Sequence, residues 1–264
     1  MENRSIDNSE RTSRLYVTAV ERAMQLLSAF DHQHTRLTLS QLVKLTGLNM
    51  SAVQRFAYTL LQLGYLDRDE SSKTYRPAVK LLNFAFQYTV SNEMLSRAAP
   101  ILKELACETD ETANITVLDG TDIVFALRII SQHVLNFNVI TGTRLPAYCT
   151  APGLAMMAHL RESHVDTILA KSDLVAHTAK TVTDASQIKE RLVQIREAGY
   201  CLSIDEYFVG DISIAAAILD ARSQPIGAVN VAIAKSRWNG KEDQDRIANL
   251  VLSAAAAINS NMWA

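Results

Sequence analysis

The 264-residue chain contains no apolar run approaching the roughly 18 residues that a membrane span needs. Its opening residues, MENRSIDNSERTSR, are polar and of mixed charge, without the hydrophobic block of a secretory leader. Both absences point to a cytoplasmic protein with no membrane partner. Cysteine is scarce as well: Cys107, Cys149 and Cys201 lie far apart with no CxxC pair. That argues against a disulfide framework and against a zinc ribbon, and leaves the thiols reduced. The six histidines add no metal-ligand spacing, since His159 and His164 are five residues apart and off a common helix face. A nucleophilic Cys149 would need a base, and no motif identifies one. The expectation is therefore no metal, no cofactor and no catalytic residue.

What is present is a folded composition. Apolar residues make up 48% and charged residues 20%, enough for a sizeable core in one large or two modest domains. The net charge of −2 is unevenly spread. Residues 1–80 carry eleven Lys and Arg against eight Asp and Glu, a net of +3, and the remainder carries fifteen against twenty, a net of −5. A mildly basic head on an acidic body fits nucleic-acid contact only if the head also holds a suitable motif.

Residues 1–15 read as a disordered tail, rich in Ser, Asn and charge. From Tyr16 to Asp31, Val20, Ala23, Met24, Leu27 and Phe30 recur at helical spacing. Thr38-Leu39-Ser40-Gln41 has the form of a capping box, which starts a short helix that Gly47 ends. Asn49 is a good cap for a third helix whose apolar stripe is Val53, Phe56, Ala57 and Leu60. Away from that stripe point Ser51, Arg55, Tyr58 and Gln62, with Met50 and Gln54 on its flank. This face is nearly uncharged, and its Arg and Gln are sized to read guanine and adenine edges. Tyr65 to Pro77 then reads as a hairpin whose outward residues include Arg68, Lys73 and Arg76. Helix, short helix, turn, helix and hairpin is the order of a winged helix-turn-helix over residues 16–80. In that arrangement Thr38, Asn49, Met50, Ser51, Gln54, Arg55 and Tyr58 face a double-stranded DNA operator, and Arg68, Lys73 and Arg76 meet phosphates.

Leu81 to Met94 continue as a linker helix crowded with Leu82, Phe84, Phe86 and Tyr88, a surface suited to a second copy and so to a homodimer or tetramer. Beyond it the pattern predicts a helix over 95–109, strands over 114–118, 123–129 and 134–140, helices over 151–161, 165–170 and 184–198, strands over 200–204, 212–219 and 226–234, and a last helix over 242–259. The fold class is α+β, an antiparallel sheet flanked by helices, which commonly cradles a small ligand. In the segment 142–158, GTRLPAYCTAPGLAMMA, Thr150 can cap a helix and Pro152 suits its first turn. For an organic acid, the candidate carboxylate partners are Arg128, Arg144 and the free amides after Thr150.

This segment, together with Gly199-Tyr200-Cys201 through Asp205-Glu206, Gly210, Ala215-Ala216-Ala217 and Gly227 to Val231, resembles the effector domain of IclR-family transcriptional regulators. The Arg144 to Thr150 run is similar to the PcaR/PobR branch, whose members sense aromatic acids feeding the β-ketoadipate route. Where that branch usually has Ser-Met before the glycine, this chain has Ala151-Pro152. The resemblance implies a GAF-like effector-binding and oligomerisation domain over 95–264. It places the effector site at Tyr148, Cys149, Thr150, Ala151 and Gly153, at Asp205 and Glu206, and at Ala217, Asn230 and Ala232. The implied function is a sequence-specific DNA-binding regulator answering a small organic acid, probed against the alternative of a small-molecule enzyme or protein-binding module carrying a winged helix.

Overall fold

The computed structural model describes residues 14–31, 33–133 and 138–260. The chain divides into two compact units between Tyr88 and Thr89.

The smaller unit holds α1 (Thr18–Leu27), α2 (Leu39–Thr46), α3 (Met50–Gln62), and the antiparallel pair β1 (Leu66–Arg68) and β2 (Tyr75–Pro77). The capping box forms as its sequence predicts: the Thr38 amide donates to Gln41 Oε1 at 2.8 Å, and the Gln41 amide donates to Thr38 Oγ1 at 3.3 Å. Gly47 ends α2 with φ +69°, a left-handed conformation that glycine adopts without strain. Asn49 Oδ1 accepts from the Ala52 amide at 2.8 Å and starts α3. Leu26, Leu42, Val53, Ala57 and Leu60 meet Leu37, Leu66 and Tyr75 in one core. Each such buried aliphatic side chain contributes about 1.5 to 3 kcal/mol. The first helix is shorter than the expected 16–31, because Ser28 closes it back onto Met24.

A single turn of 3-10 helix (Val79–Leu81) leads into α4 (Leu82–Ser91). The expected linker helix stops short of Met94, because Asn92 Oδ1 accepts from the Leu95 amide and begins α5 (Glu93–Thr109).

In the larger unit, β3 (Thr112–Asp119), β4 (Asp122–Ile129) and β5 (Arg144–Pro146) form one antiparallel meander, and β6 (Cys201–Ile204), β7 (Asp211–Leu219) and β8 (Pro225–Ala234) form another. They join through the antiparallel β3–β8 ladder, giving the six-stranded order β5-β4-β3-β8-β7-β6. The expected strand over 134–140 falls partly on residues 134–137, outside the described residues; 138–140 are not strand, and the third strand of the first meander is Arg144–Pro146.

Alternation along the strands gives the sheet two faces. Ile212, Ile214, Ala216, Val229 and Val231 pack against α5 and α9 (Lys241–Ser260). The opposite face, with Cys201, Ala215 and Ala228, packs against α6 (Ala151–Met157), and α7 (Glu162–Lys171) and α8 (Ala185–Ala198) join the same core. Every residue of α6 is buried.

Candidate functional site

On the smaller unit, burial of Val53, Ala57 and Leu60 turns the opposite face of α3 to solvent, so Met50, Ser51, Gln54, Arg55 and Tyr58 are all exposed. Apolar Met50 and aromatic Tyr58 stand 45% and 61% exposed on it. Thr38 and Asn49 have structural work of their own, since both side chains are engaged in capping. The hairpin differs from a free basic wing: Lys73 Nζ lies 2.9 Å from Glu70, Arg68 3.6 Å from Glu70, and Arg76 3.3 Å from Asp67. Its three cations are matched by Asp67, Asp69 and Glu70, so the wing is electrically neutral. Arg55 has no ion pair or hydrogen-bond partner through its side chain among the described residues and is the exposed face's one cation.

On the larger unit, a cavity partly open to solvent lies between the sheet and the start of α6. Its floor is built from cross-strand rows. In the first, Arg128 stands opposite Asn114, and Asn114 opposite Asn230. In the second, Thr112 pairs with Ala232, Ala232 with Ser213, and Ser213 with Ser203. Asp211, opposite Ala234, closes the floor. Apolar and aromatic lining comes from Ile123, Phe125 and Leu145 on β4 and β5 and from Tyr207 and Phe208, beside Cys149 to Pro152.

Arg128 Nη1 donates to Asn114 Oδ1 at 3.0 Å, and its guanidinium lies 5.7 Å from the Phe125 ring centre. Burial lowers its pKa from the ordinary arginine value, and the opposite charge of Asp211 counters that. Burial pushes Asp211 up to about 7, against the pull of Arg128 and with help from Asp205. Asn230 Nδ2 donates to Ser213 Oγ at 3.0 Å. That leaves Asn114 Nδ2 and Asn230 Oδ1 buried without a partner, at about 1 to 3 kcal/mol each for as long as nothing satisfies them.

Of the expected effector residues, Arg128, Cys149, Thr150, Ala151, Asn230 and Ala232 line this cavity. The others lie outside that lining. Arg144 is on the surface, donating to Asp119 at 2.7 Å and to Asp122 at 3.1 Å. Tyr148 is buried, and its hydroxyl donates to the Val175 carbonyl at 2.5 Å. Gly153 lets α6 close onto the backbone of Ala147. Ala217, opposite Ala228, shares the face of Ser213 but sits farther along β7, outside the cavity lining. Asp205 is held by Lys235, by the Gly210 amide and by Lys180, which together keep its carboxyl well below the usual range. Glu206 makes a two-pronged pair with Arg191 at 2.6 and 2.7 Å. These two acids anchor the loop that carries Tyr207 and Phe208 rather than facing the cavity themselves.

Thr150 does not cap α6 through its side chain; its hydroxyl turns back to donate to the Pro146 carbonyl at 2.9 Å. Cys149 is no nucleophile in waiting, because burial pushes its thiol up to about 12. Among the described residues, no three His, Cys, Asp or Glu side chains gather where they could hold a metal ion. No described helix is long and apolar enough to cross a membrane. The cavity residues absent from the sequence expectation, among them Asn114, Asp211 and Ser213, had one signal: polar residues alternating along buried strands, as in Thr112-Asn114-Thr116.

Two family models match the chain. One, described as the IclR helix-turn-helix domain, covers residues 19–70. The other, described as bacterial transcriptional regulator IclR C-terminal, covers residues 86–260. The Pca regulon regulatory protein of Pseudomonas putida is 30% identical over 241 residues, covering 91% of this chain and 82% of that protein. The p-hydroxybenzoate hydroxylase transcriptional activator of Acinetobacter baylyi is 30% identical over 246 residues, covering 91% and 90%. Among solved structures, a transcriptional regulator from Alicyclobacillus acidocaldarius matches with a TM-score of 0.83 at 22% identity, covering 93% of this chain and 98% of that one. A homolog from Microbacterium hydrocarbonoxydans complexed with 4-hydroxybenzoate matches with a TM-score of 0.78 at 20% identity, covering 92% and 98%. At those identities the two structures speak to the fold alone.

Proposed function

This chain belongs to the IclR family of bacterial transcriptional regulators, and from that footing we propose that a small aromatic carboxylic acid, bound in the cavity of the larger unit, governs its hold on DNA. The matched families and relatives are transcriptional regulators, not enzymes. DNA recognition is assigned to the exposed face of α3, with Arg55, Gln54, Ser51, Met50 and Tyr58 in the major groove and the wing beside the backbone.

One observation carries the effector assignment: Arg128 lines a cavity that Phe125, Tyr207 and Phe208 also line. A guanidinium binds a carboxylate through charge-assisted hydrogen bonds, and a planar ring fits the aromatic lining. The regulators of Pca genes and of p-hydroxybenzoate hydroxylase among its relatives support the same class of ligand. Regulation requires that the acid bind one arrangement of paired DNA heads more tightly than another. The exposed Leu82, Phe84, Phe86 and Val90 of α4 support association of two chains, which would present two α3 helices to a palindromic site.

Thermal-shift titration with benzoate and the hydroxybenzoates tests the assignment, because a ligand bound only by the native state raises the melting temperature. A concentration-dependent rise in the wild-type chain, lost in Arg128→Met, is the expected result. No shift with any of these acids, in protein that still binds its operator, overturns it.

A further inference from the structure

The first row of the cavity floor holds three polar side chains abreast, Arg128, Asn114 and Asn230, on neighbouring strands β4, β3 and β8. Each asparagine spends one end of its amide inside the protein: Asn114 Oδ1 accepts from Arg128, and Asn230 Nδ2 donates to Ser213. The remaining ends are a donor, Asn114 Nδ2, and an acceptor, Asn230 Oδ1. Both residues are buried, 0% and 3% exposed, and both line the cavity. Neighbouring strands lie about 4.8 Å apart, so a single atom between the two side chains comes within hydrogen-bonding reach of both.

We propose that Asn114 and Asn230 together read a hydroxyl group on the ligand, which accepts from Asn114 Nδ2 and donates to Asn230 Oδ1. This rests on the aromatic-acid reading above and narrows it to hydroxylated acids. A hydroxyl is the simple group that donates and accepts at one atom. A carboxylate in that position would only accept, leaving Asn230 Oδ1 facing negative charge. A methyl or ring C–H would leave both amide ends unsatisfied, the situation a buried site rejects most strongly. With the carboxylate on Arg128, next in the row, the hydroxyl falls on a ring carbon remote from the carboxylate. An ortho hydroxyl would instead bond to the acid's own carboxylate.

Titration calorimetry on the full chain with benzoate, 2-hydroxybenzoate, 3-hydroxybenzoate and 4-hydroxybenzoate provides the test. The 3- or 4-hydroxy acid should bind the wild type at least about tenfold more tightly than benzoate or the 2-hydroxy acid. In Asn230→Leu, which keeps the branched shape and removes the acceptor, that ratio should fall towards one. The wild-type series decides without any variant, should Asn230→Leu fold poorly. Benzoate binding as tightly as every hydroxybenzoate overturns the hydroxyl reading and leaves the aromatic-acid reading standing. Equal loss of benzoate and hydroxybenzoate affinity in a folded Asn230→Leu also overturns it. Binding of none of the four acids overturns both.

Discussion

Gly153, in the first turn of α6, sits against the backbone of Ala147 in the preceding 3-10 turn (Ala147–Cys149) with no room for a side chain: a Cβ there would overlap the Ala147 carbonyl oxygen and lie 2.5 Å from its Cα. The obstacle is backbone, which cannot swing aside as a side chain can. Gly153→Ala should therefore cost about 1 to 3 kcal/mol, read as a lower urea midpoint at unchanged slope. An unchanged midpoint would mean that α6 slides freely over the 3-10 turn.

The acid–base character of the cavity floor gives a stability signature. Burial raises Asp211 to about 7 from an ordinary value of 3.8. Between those values the native chain holds a proton that the unfolded chain releases, so this residue's contribution to stability is full below pH 4 and lost as pH rises through 7. Asp211→Asn removes that slope. Relative to the variant, the wild type should lose on the order of 1 kcal/mol or more between pH 4.5 and pH 8, measured by urea unfolding at each pH. Parallel pH profiles for the two proteins would place the Asp211 carboxyl in contact with water.

For the DNA face, Arg55→Ala should cost about 1 to 3 kcal/mol on the preferred operator and flatten discrimination between operator variants. Lys73→Ala should do much less than loss of a free phosphate contact, because Lys73 is already paired with Glu70 and an exposed pair of this kind is worth little. Fluorescence anisotropy with matched and scrambled duplexes separates the two effects. Loss of affinity on every duplex for Arg55→Ala would move that residue from base reading to backbone contact.

Ala232 and Ala217 make a paired control for the cavity. Ala232 stands between Thr112 and Ser213 on the floor, whereas Ala217 lies farther along β7 beside Ala228. Ala232→Trp should abolish acid binding while leaving operator binding by the separate smaller unit intact. Ala217→Trp should disturb packing against α6 and spare the acid's affinity. Calorimetry showing normal binding to a folded Ala232→Trp would relocate the ligand.

Much of the architecture was legible from local pattern. The capping box at Thr38 and Gln41 and the Asn49 cap each declare themselves within four residues, and both form as expected. Arg144–Pro146 escaped notice as a strand because three residues carry no periodicity. The cavity was legible only in part, for a different reason. Its floor depends on which residue of β8 stands beside Asn114, a register set by pairing between distant segments, and no window of sequence contains that information. Thr150 shows a related failure. Its type and position suit a cap, but its hydroxyl is turned to donate to the Pro146 carbonyl and accepts from no helix amide.

Among the described strands, the two meanders of the larger unit meet at a single ladder, β3 with β8. A ligand lodged on Asn114 and Asn230 straddles that seam and acts as a rivet between the halves. Parting the halves then requires the ligand to leave, so its binding energy is added to the opening energy of the seam. Slowed amide exchange at Ala113 and Val231, with little change at the outer strands β5 and β6, would be the mechanical trace of a sheet clamped at its midline.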